Sequence, residues 1–489
     1  MRKSPFSRSL PVLLILPFLL LSTLVYPQTA RRALNTAIGM EKEGNHEQAL
    51  SIYERLIDGE QDEEVALLAR IQAGKIYLNQ KQDYAQAQQL FESVVSHIEY
   101  SELASEALFN LGKIRYQQAR TVNEIQDALG EFRQAIEIYG DTAAALDSLM
   151  FAGMIEENMN NLSRAIFYYQ TAFYQYPESE LASQAQFRLA RCYMLMGAIG
   201  KALEELQKVR LNYPQSPEAR LSLDASSSIY RLFFSNKLTE LYRQSAITTP
   251  QLDNPTQIEF VSDGNLLLLD KNRILTIGVD EKTVNAGRSN SASLFVDREG
   301  RVHNVTDRAI RSGGQNILVQ FMDKDKLKVF DKIKTFVQNS FGESYVGGDK
   351  EGIWGLQLQG RNFLAVPLPG AKIGKVARLR VDSRGALYAL DQNRQMMNIV
   401  DRDGTLIRQI SAKSYGIDRI QDFTIDFFDN LYLLNRDGGF VVLQNLYGSE
   451  NKLAVLARIP TTVKKPKTIG VDRAGRVYVA GEKNLESFS

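Results

Sequence analysis

Two different hydrophobic periods divide this chain. From residue 31 to about residue 242, apolar residues recur at intervals of three and four, which is the spacing of one helix face. From about residue 250 onward, short runs alternate apolar and polar residues between Asp/Gly turns, as antiparallel strands do. The pattern predicts a multidomain α + β protein, with an all-α domain over residues 31–242 and an all-β domain over residues 243–489.

The helical half repeats one motif. An alanine is followed four residues later by a large apolar side chain, at intervals of 37 to 41 residues, in five pairs: Ala49–Tyr53, Ala87–Phe91, Ala128–Phe132, Ala165–Tyr169 and Ala202–Leu206. The last two pairs are followed by Pro177 and Pro214, and a proline at that position ends a helix. A unit of this length is one helix pair, which buries its apolar stripe only against neighbouring units.

These features resemble the tetratricopeptide repeat, and the unit that fits it best contains Ala190, Tyr193, Gly197, Ala202, Leu206 and Pro214. The resemblance implies a superhelix of about five repeats whose concave face binds a peptide or protein. In the third unit, about four extra residues around Ala119–Asp127 are expected to lengthen the turn between its helices. The residues expected to line the groove are Lys75, Asn79, Lys113, Tyr116, Gln117, Glu157, Asn158, Arg191 and Met194.

The second half repeats a hairpin. The segments VDSRGALYALD (381–391) and VDRAGRVYVAG (471–481) share an apolar–Asp start, a turn position and an apolar–Tyr–apolar continuation. The turn needs a positive φ, which Gly supplies and which Asp or Asn tolerates. Six copies place that turn position at Gly264, Gly300, Gly352, Gly385, Asp429 and Gly475.

These hairpins resemble the NHL repeat, in which each copy forms the first two strands of a propeller blade. The resemblance implies a six-bladed β-propeller over the C-terminal half. The second and third copies depart from the repeat, and an insertion around Asn316–Gly342 disturbs the third blade. Asp382, Asp426 and Asp472 are predicted to cap their turns, with a cation-binding ring of carboxylates in the channel as the alternative.

Closure of the ring requires a strand from elsewhere in the chain. After Lys467 the sequence offers only three strands for the last blade, and an unpaired outer edge would expose free backbone donors and acceptors. The segment Tyr242–Thr248, which precedes the first blade, contains neither glycine nor proline. We therefore predict that this segment supplies the fourth strand of the sixth blade.

The N-terminus has the pattern of an export signal. Arg2, Lys3 and Arg8 precede an apolar run over residues 10–25, so residues 1–30 are predicted to be a signal peptide, with a retained N-terminal membrane anchor as the alternative. The expected location is the periplasm or another extracytoplasmic compartment. Cys192 is the only cysteine; it excludes an internal disulfide and is expected to be buried.

Enzyme motifs are missing from the sequence. It contains no G-x-S-x-G elbow, H-E-x-x-H motif, phosphate-binding Walker loop or Cys/His zinc spacing, and its histidines are only His46, His97 and His303. No catalytic residue, metal or cofactor is therefore predicted, and His303 is expected to pack within the second blade. Some six-bladed propellers are lactonases or lyases, and a calcium-type lactonase would need only carboxylates and amides, so this alternative stays open.

Charge is distributed unevenly between the halves. Residues 31–249 carry 21 basic and 29 acidic side chains, whereas residues 250–489 carry 34 and 28. The basic half contains two lysine clusters: Lys324, Lys326, Lys328, Lys332 and Lys334, and Lys464, Lys465 and Lys467. They are expected to be solvated strand edges, with a surface for anionic envelope polymers or lipid head groups as the alternative. Nucleic acid is not an expected partner, because no aromatic residues are interleaved.

The combined features predict an exported, non-enzymatic scaffold that mediates protein–protein interaction in a bacterial cell envelope. The helical half resembles periplasmic tetratricopeptide proteins of outer-membrane assembly and of the Tol–Pal division machinery. The competing hypothesis is a propeller hydrolase or lyase with a helical targeting arm.

Overall fold

The computed structural model describes residues 16–59, 62–119, 121–234, 244–261, 263–297, 300–339, 341–370, 372–444 and 453–488, with side chains from residue 29 onward. The fold consists of two compact units, one ending at Phe151 and the other running from Ala152 onward. Residues 1–15 of the predicted signal peptide lie outside the described residues, and so does the predicted domain boundary at residues 242–243. None of the described helices is long and apolar enough to cross a membrane.

The described part of the first 234 residues is all-helical. Its helices are α1 (Leu16–Lys42), α2 (His46–Gly59), α3 (Glu63–Ile76), α4 (Tyr84–Val95), α5 (Ser101–Gln118), α6 (Val122–Ile138), α7 (Ala143–Asn158), α8 (Leu162–Gln175), α9 (Glu180–Leu195), α10 (Ile199–Asn212) and α11 (Pro217–Ile229). Single π-helical turns extend α3 over Tyr77–Lys81 and α11 over Tyr230–Phe234. The helices α1 to α10 form the five predicted pairs, and α11 follows the last pair.

Small residues on the first helix of a pair make room for a ring on the second. A Cβ at Gly74 would lie 2.8 Å from the Phe91 ring, and a Cβ at Gly112 would lie 2.7 Å from the Phe132 ring. In the second unit, a Cβ at Gly153 would similarly lie 2.6 Å from Tyr169. The five alanine-containing pairs that define the repeat are all buried. The repeat is therefore maintained by close helix approach within each pair.

The third pair corrects one expectation. Only residues 119–121 separate α5 from α6, so the turn between these helices is not lengthened. The extra residues instead make α5 and α6 longer, at 18 and 17 residues. Helix α6 begins early because Thr121 and Glu124 form a reciprocal capping box at its N-terminus.

The strands of the second unit form six blades. Blade one contains β2 (Pro255–Phe260), β3 (Leu266–Asp270), β4 (Arg273–Ile277) and β5 (Thr283–Arg288); blade two contains β6 (Ser293–Val296), β7 (Val302–Val305), β8 (Ala309–Ser312) and β9 (Gln315–Asp323). Blade three contains β11 (Ile333–Gln338), β12 (Ser344–Gly348), β13 (Trp354–Gln359) and β14 (Asn362–Pro367), and β10 (Lys326–Val329) pairs with β9.

The remaining blades follow the same order. Blade four contains β15 (Arg378–Val381), β16 (Leu387–Asp391), β17 (Met396–Val400) and β18 (Leu406–Ser411); blade five contains β19 (Ile420–Ile425), β20 (Leu431–Asn435), β21 (Phe440–Leu443) and β22 (Val455–Ile459); blade six contains β23 (Pro466–Val471), β24 (Val477–Gly481), β25 (Leu485–Phe488) and β1 (Gln244–Ile247). The innermost strands β2, β6, β11, β15, β19 and β23 each contact the next and close a ring. The predicted six-bladed propeller is confirmed.

The turn between the first two strands has the same hydrogen bonds in every blade. The N–H of its first residue donates to the carbonyl four residues later, and its carbonyl accepts from the residue three places later. The residue three places after the first has a positive φ in all six turns: Gly264, Gly300, Gly342, Gly385, Asp429 and Gly475. The third copy was therefore assigned wrongly, because Gly352 lies between β12 and β13. With Gly342 in its place, the spacings become 36, 42, 43, 44 and 46 residues.

The insertion before blade three joins two blades. Strand β9 begins as the outer strand of blade two, where Gln315–Leu318 pairs with β8. Its second half runs parallel to β14 of blade three through Val319–Phe321, and β10 pairs with it on the other side. Blades two and three therefore form one continuous sheet, which explains the degenerate repeat in this region.

The predicted closing strand is confirmed over Gln244–Ile247, and the first two residues of the predicted segment, Tyr242 and Arg243, lie outside the described residues. Strand β1 pairs antiparallel with β25, with Gln244 opposite Phe488 and Ile247 opposite Leu485. The side chain of Ile247 packs with Ile258 of blade one and Tyr478 of blade six. The residues before the first blade thus complete the last blade.

Candidate functional site

A row of half-buried charges crosses three helices of the first unit. Lys75 on α3 forms an ion pair with Glu106 on α5, and Lys113 on α5 interacts electrostatically with Asp147 on α7. Burial, together with the positive charge of Lys75, lowers the pKa of Lys113. Burial and Glu106 raise the pKa of Asp147. These four residues, which we call the charged row, carry opposite charges that are only partly neutralised within the protein.

The other groove positions of the first unit differ in exposure. Asn79 is exposed and Gln117 is half-buried, whereas Tyr116 is buried with its ring centroid 6.0 Å from that of Phe151. Lys113 also lies over the Phe109 ring, with Nζ 5.5 Å from the ring centroid. Polar and aromatic groups are thus combined on the face formed by the first helices of successive pairs.

In the second unit, two predicted groove residues lie in a buried network. Arg191 on α9 forms ion pairs with Glu157 on α7 and with Asp429 in the turn of blade five; its Nη2 is 2.6 Å from Asp429 Oδ2. Arg191 Nη2 also donates to Ser383 in blade four, and Arg191 Nε donates to the carbonyl of Phe427 at 3.3 Å. A single guanidinium therefore connects two of the helices α1 to α11, which we call the arm, with two blades of the propeller.

The electrostatics of this network favour the charged form of Arg191 and the neutral form of Tyr169. Burial opposes the charge of Arg191, but Asp429 and Glu157 outweigh it and raise its pKa. Glu157 also accepts a hydrogen bond from the Tyr169 hydroxyl at 2.8 Å, and burial followed by this carboxylate raises the pKa of Tyr169. Sequence reasoning missed the network, because nothing in either repeat shows that α9 packs on the propeller.

The burial of these positions limits what they can contact. Arg191, Glu157 and Met194 are buried, the last among the side chains of α9, α10 and α11, and Asn158 is half-buried. A bound peptide would reach the three buried side chains only after they had been uncovered. The binding role of the nine groove residues stays a prediction, and its accessible part lies in the first unit.

A cavity of about 540 Å³ lies between the arm helices and the propeller. Helices α9 and α11 contribute Gln184, Phe187, Arg188, Arg191, Glu218 and Leu221. Each blade contributes at least one residue at or beside its first turn, among them Phe260, Asp297, Asn339, Asp382, Asp426 and Arg473. We call this cavity the vestibule, because it lies over the mouth of the channel enclosed by the inner strands.

The carboxylates at the mouth cap their own turns, as predicted. Asp382 Oδ1 accepts from the N–H groups of Arg384 and Ala386, and Asp426 Oδ1 accepts equivalently from Phe428 and Asn430. Burial, followed by Asp429, raises the pKa of Asp382 to about 7. Burial also raises the pKa of Asp426 to about 6, against the hydrogen bonds that stabilise its ionised form.

Ion pairs and hydrogen bonds connect the inner strands of different blades. Arg378 Nε donates to Asp422 Oδ1 at 3.0 Å, and Arg378 Nη2 reaches the carbonyl of Thr256 in blade one at 2.5 Å. Arg380 pairs with Glu259, also in blade one. Burial opposes the charge of Arg380, but Glu259 and Asp422 outweigh it and raise its pKa. Arginines of blade four therefore cross to the blade on the opposite side of the ring.

The lysine clusters are partly neutralised by nearby carboxylates. Lys328 pairs with Asp323, and Lys332 and Lys334 both pair with Asp349. Lys465 and Lys467 share Glu482, and the remaining members, Lys324, Lys326 and Lys464, are exposed.

Two further predicted positions have defined surroundings. His303 packs near Phe295 and Phe336, and its Nε2 lies 2.9 Å from Asp297 Oδ2. Cys192 is buried, as expected. Within the described ranges, one group of side chains, Glu63, His97 and Glu99, places three possible metal-ligand atoms within 4.8 Å of one another; both glutamates are exposed.

Comparison with known proteins gives one family match and several similar structures. The family model described as "Tetratricopeptide repeat" matches residues 159–223, which span α8 to α10 and part of α11. No curated protein matches the chain. Solved structures similar to it include a gluconolactonase from Xanthomonas campestris (16% identity, 51% of this chain and 90% of that chain, TM-score 0.42). Others are a streptogramin B lyase (11%, 51% and 97%, 0.37) and the WD40 propeller domain of Doa1 (13%, 48% and 78%, 0.36).

These observations define the class of protein. The chain combines a tetratricopeptide-repeat arm, a kind of module that mediates protein interaction, with a six-bladed propeller. The similar structures include a gluconolactonase, a lyase and a WD40 propeller domain, all at 16% identity or less, so none of their activities transfers to this chain.

Proposed function

We propose that this protein is an exported scaffold of the cell envelope, which binds a partner protein through the helices of its first unit. The charged row carries this proposal. Lys113 is largely desolvated without a carboxylate in ion-pair distance among the described residues, and its lowered pKa reflects this cost. A partner carboxylate beside Lys113 would restore the missing counter-charge.

The propeller is proposed to have a non-catalytic role. The carboxylates that a calcium-type lactonase would use are engaged otherwise: Asp422 and Glu259 bind arginines in the channel, and Asp382 and Asp426 accept hydrogen bonds from their turns. The rival hydrolase or lyase predicts metal-dependent turnover of a lactone by the purified protein. Turnover abolished by a chelator would establish the rival.

Two further parts of the proposal rest on sequence. Export is supported by the basic–apolar pattern of residues 1–25. An anionic polymer or lipid head group would meet the exposed lysines Lys324, Lys326 and Lys464. Cell fractionation tests the first part, because intact protein with residues 1–30 in the cytoplasm would contradict it.

The groove is tested by crosslinked recovery of partners from envelope extract. Lys113→Glu should strongly reduce recovery of the partner, because the new charge repels the carboxylate that Lys113 is proposed to bind. Arg55→Glu is the control, because Arg55 is an exposed residue of α2 away from the charged row. Equal recovery by the wild type and by folded Lys113→Glu would contradict the groove proposal.

A further inference from the structure

We propose that the vestibule binds one small amphipathic anion, whose aromatic or acyl body contacts phenylalanine rings and whose carboxylate or sulfonate is bound by Arg188. This inference does not depend on the scaffold role. It rests on the cavity and on the apolar surface inside it. It also rests on a difference between the charged groups of the lining, because the aspartates already accept hydrogen bonds whereas Arg188 contacts fewer acceptors among the described residues than it has N–H donors.

The size and position of the vestibule suit a small ligand. Its volume of about 540 Å³ lies within the usual range for ligand pockets, about 300–1,000 Å³. It is bounded by two helices of the arm and by all six blades, so a bound molecule would contact elements from both repeat systems.

Apolar surface remains open inside the cavity. Phe260, Phe295 and Phe427 line it and are only partly buried, although each lies next to the central channel. Phe187 adds a fourth ring, with its centroid 5.1 Å from that of Phe427. Removing these ring faces from water would favour binding of an aromatic or acyl group.

The four aspartates of the lining are already engaged, and the fifth carboxylate, Glu218, accepts a hydrogen bond from the Ser183 hydroxyl at 2.8 Å. Asp297 accepts from the backbone and side chain of Arg301 and lies beside His303, and Asp429 accepts from Ser383 and Arg191. Asp382 and Asp426 each accept two backbone N–H groups of their own turns. A cationic ligand at any of the four aspartates would have to displace these hydrogen bonds.

Among the described residues, Arg188 contacts fewer acceptors than it has N–H donors. A guanidinium has five N–H donors, and Arg188 contacts Glu157 at 3.5 Å and the Tyr169 hydroxyl. Burial opposes its charge, but Tyr169 and Glu157 outweigh this and raise its pKa, so it is a permanent cation in the wall of the cavity. A planar guanidinium can bind a carboxylate or sulfonate through two N–H groups at once.

The test uses full-length protein and three probes of one shape: naphthalene-2-sulfonate, 2-naphthol and 2-naphthylmethylammonium. Titration calorimetry should show that each chain binds one naphthalene-2-sulfonate. The sulfonate should bind at least fivefold more tightly than 2-naphthol. The ammonium probe should bind more weakly than either. Arg188→Met should weaken sulfonate about tenfold and leave naphthol unchanged. Gln184→Trp, which fills the cavity without removing Arg188, should abolish binding of all three probes.

The matched controls are Arg210→Met on α10 and Gln175→Trp on α8, both exposed and outside the vestibule. They should bind the probes as the wild type does. The proposal is overturned if no probe binds the wild type at millimolar concentration, if Gln184→Trp binds like the wild type, or if ammonium is preferred. If Arg188→Met does not fold, the proposal is still tested by the affinities of the three probes for the wild type and by the binding of the probes to Gln184→Trp.

Discussion

Arg191 on α9 and Asp429 in the first turn of blade five form a buried ion pair, with Nη2 and Oδ2 2.6 Å apart. Asp429 is also the residue whose positive φ replaces the glycine of the other five turns. The same side chain therefore completes a turn of the propeller and binds the helical arm. This double role explains why the turn of blade five carries an aspartate.

Replacing Arg191 by Met should destabilise the second unit strongly. The substitution removes the ion pair of buried Asp429 and one of the two arginines that pair with buried Glu157, and breaking such a buried pair typically costs about 3–5 kcal/mol. Denaturant unfolding should show a clearly lower midpoint, whereas Arg210→Met, at an exposed position of α10, should unfold like the wild type. Equal midpoints for all three proteins would show that the pair does not stabilise the junction.

The closing strand gives a second prediction. Ile247→Asp places a charge among the buried side chains between blades six and one, and should cost roughly 2–5 kcal/mol. Ser245→Asp is the matched control, because Ser245 lies on the same strand with an exposed side chain. Thermal unfolding should separate the two variants, and a similar melting temperature for both would contradict closure of the ring by β1.

Local patterns predicted most of the fold. The alanine-containing pairs and the Gly/Asp turns are set by contacts within one repeat, and their residue types are visible in the sequence. The closing strand was also predictable, because the sequence after Lys467 contains only three strands for blade six and a fourth is needed to pair its outer edge. Gly342 was missed because its hairpin lacks the apolar–Asp start, having Val337–Gln338–Asn339 in its place, whereas Gly352 follows Asp349.

Contacts between the repeat systems were not predictable. Arg191 and Glu157 were assigned to a groove because their positions within the repeat are groove positions. Their actual neighbours, Asp429 and Ser383, lie 238 and 192 residues from Arg191 along the chain. The periodicity of the helices does not show which other surface packs on them. The vestibule could therefore be found only from the structure.

A third prediction concerns pH. The pKa of Asp382 is raised to about 7, by burial first and by Asp429 second. The folded protein thus holds this proton at a higher pH than the unfolded chain does. The contribution of the group to stability is therefore most favourable in acid and is lost as pH rises through about 7.

Asp382→Asn removes this titration and keeps an oxygen that can cap the turn. The variant should melt roughly 2–4 °C above the wild type at pH 8, and the difference should shrink at pH 5.5. Asp437→Asn, at an exposed position, serves as the control and should show no such pH-dependent difference. A difference between Asp382→Asn and the wild type that is the same at both pH values would contradict the raised pKa.

The last prediction separates binding from stability in the charged row. Lys113→Met removes a charge whose burial is unfavourable, so the first unit should keep its stability or gain some. Lys75→Met removes the partner of Glu106 and should lower the melting temperature, because that half-buried carboxylate loses its ion pair. Both variants should recover less partner protein from envelope extract if the row binds a partner's charged groups. A marked loss of stability in Lys113→Met would instead show that Lys113 has an intramolecular counter-ion, and the argument for a partner carboxylate at this position would fail.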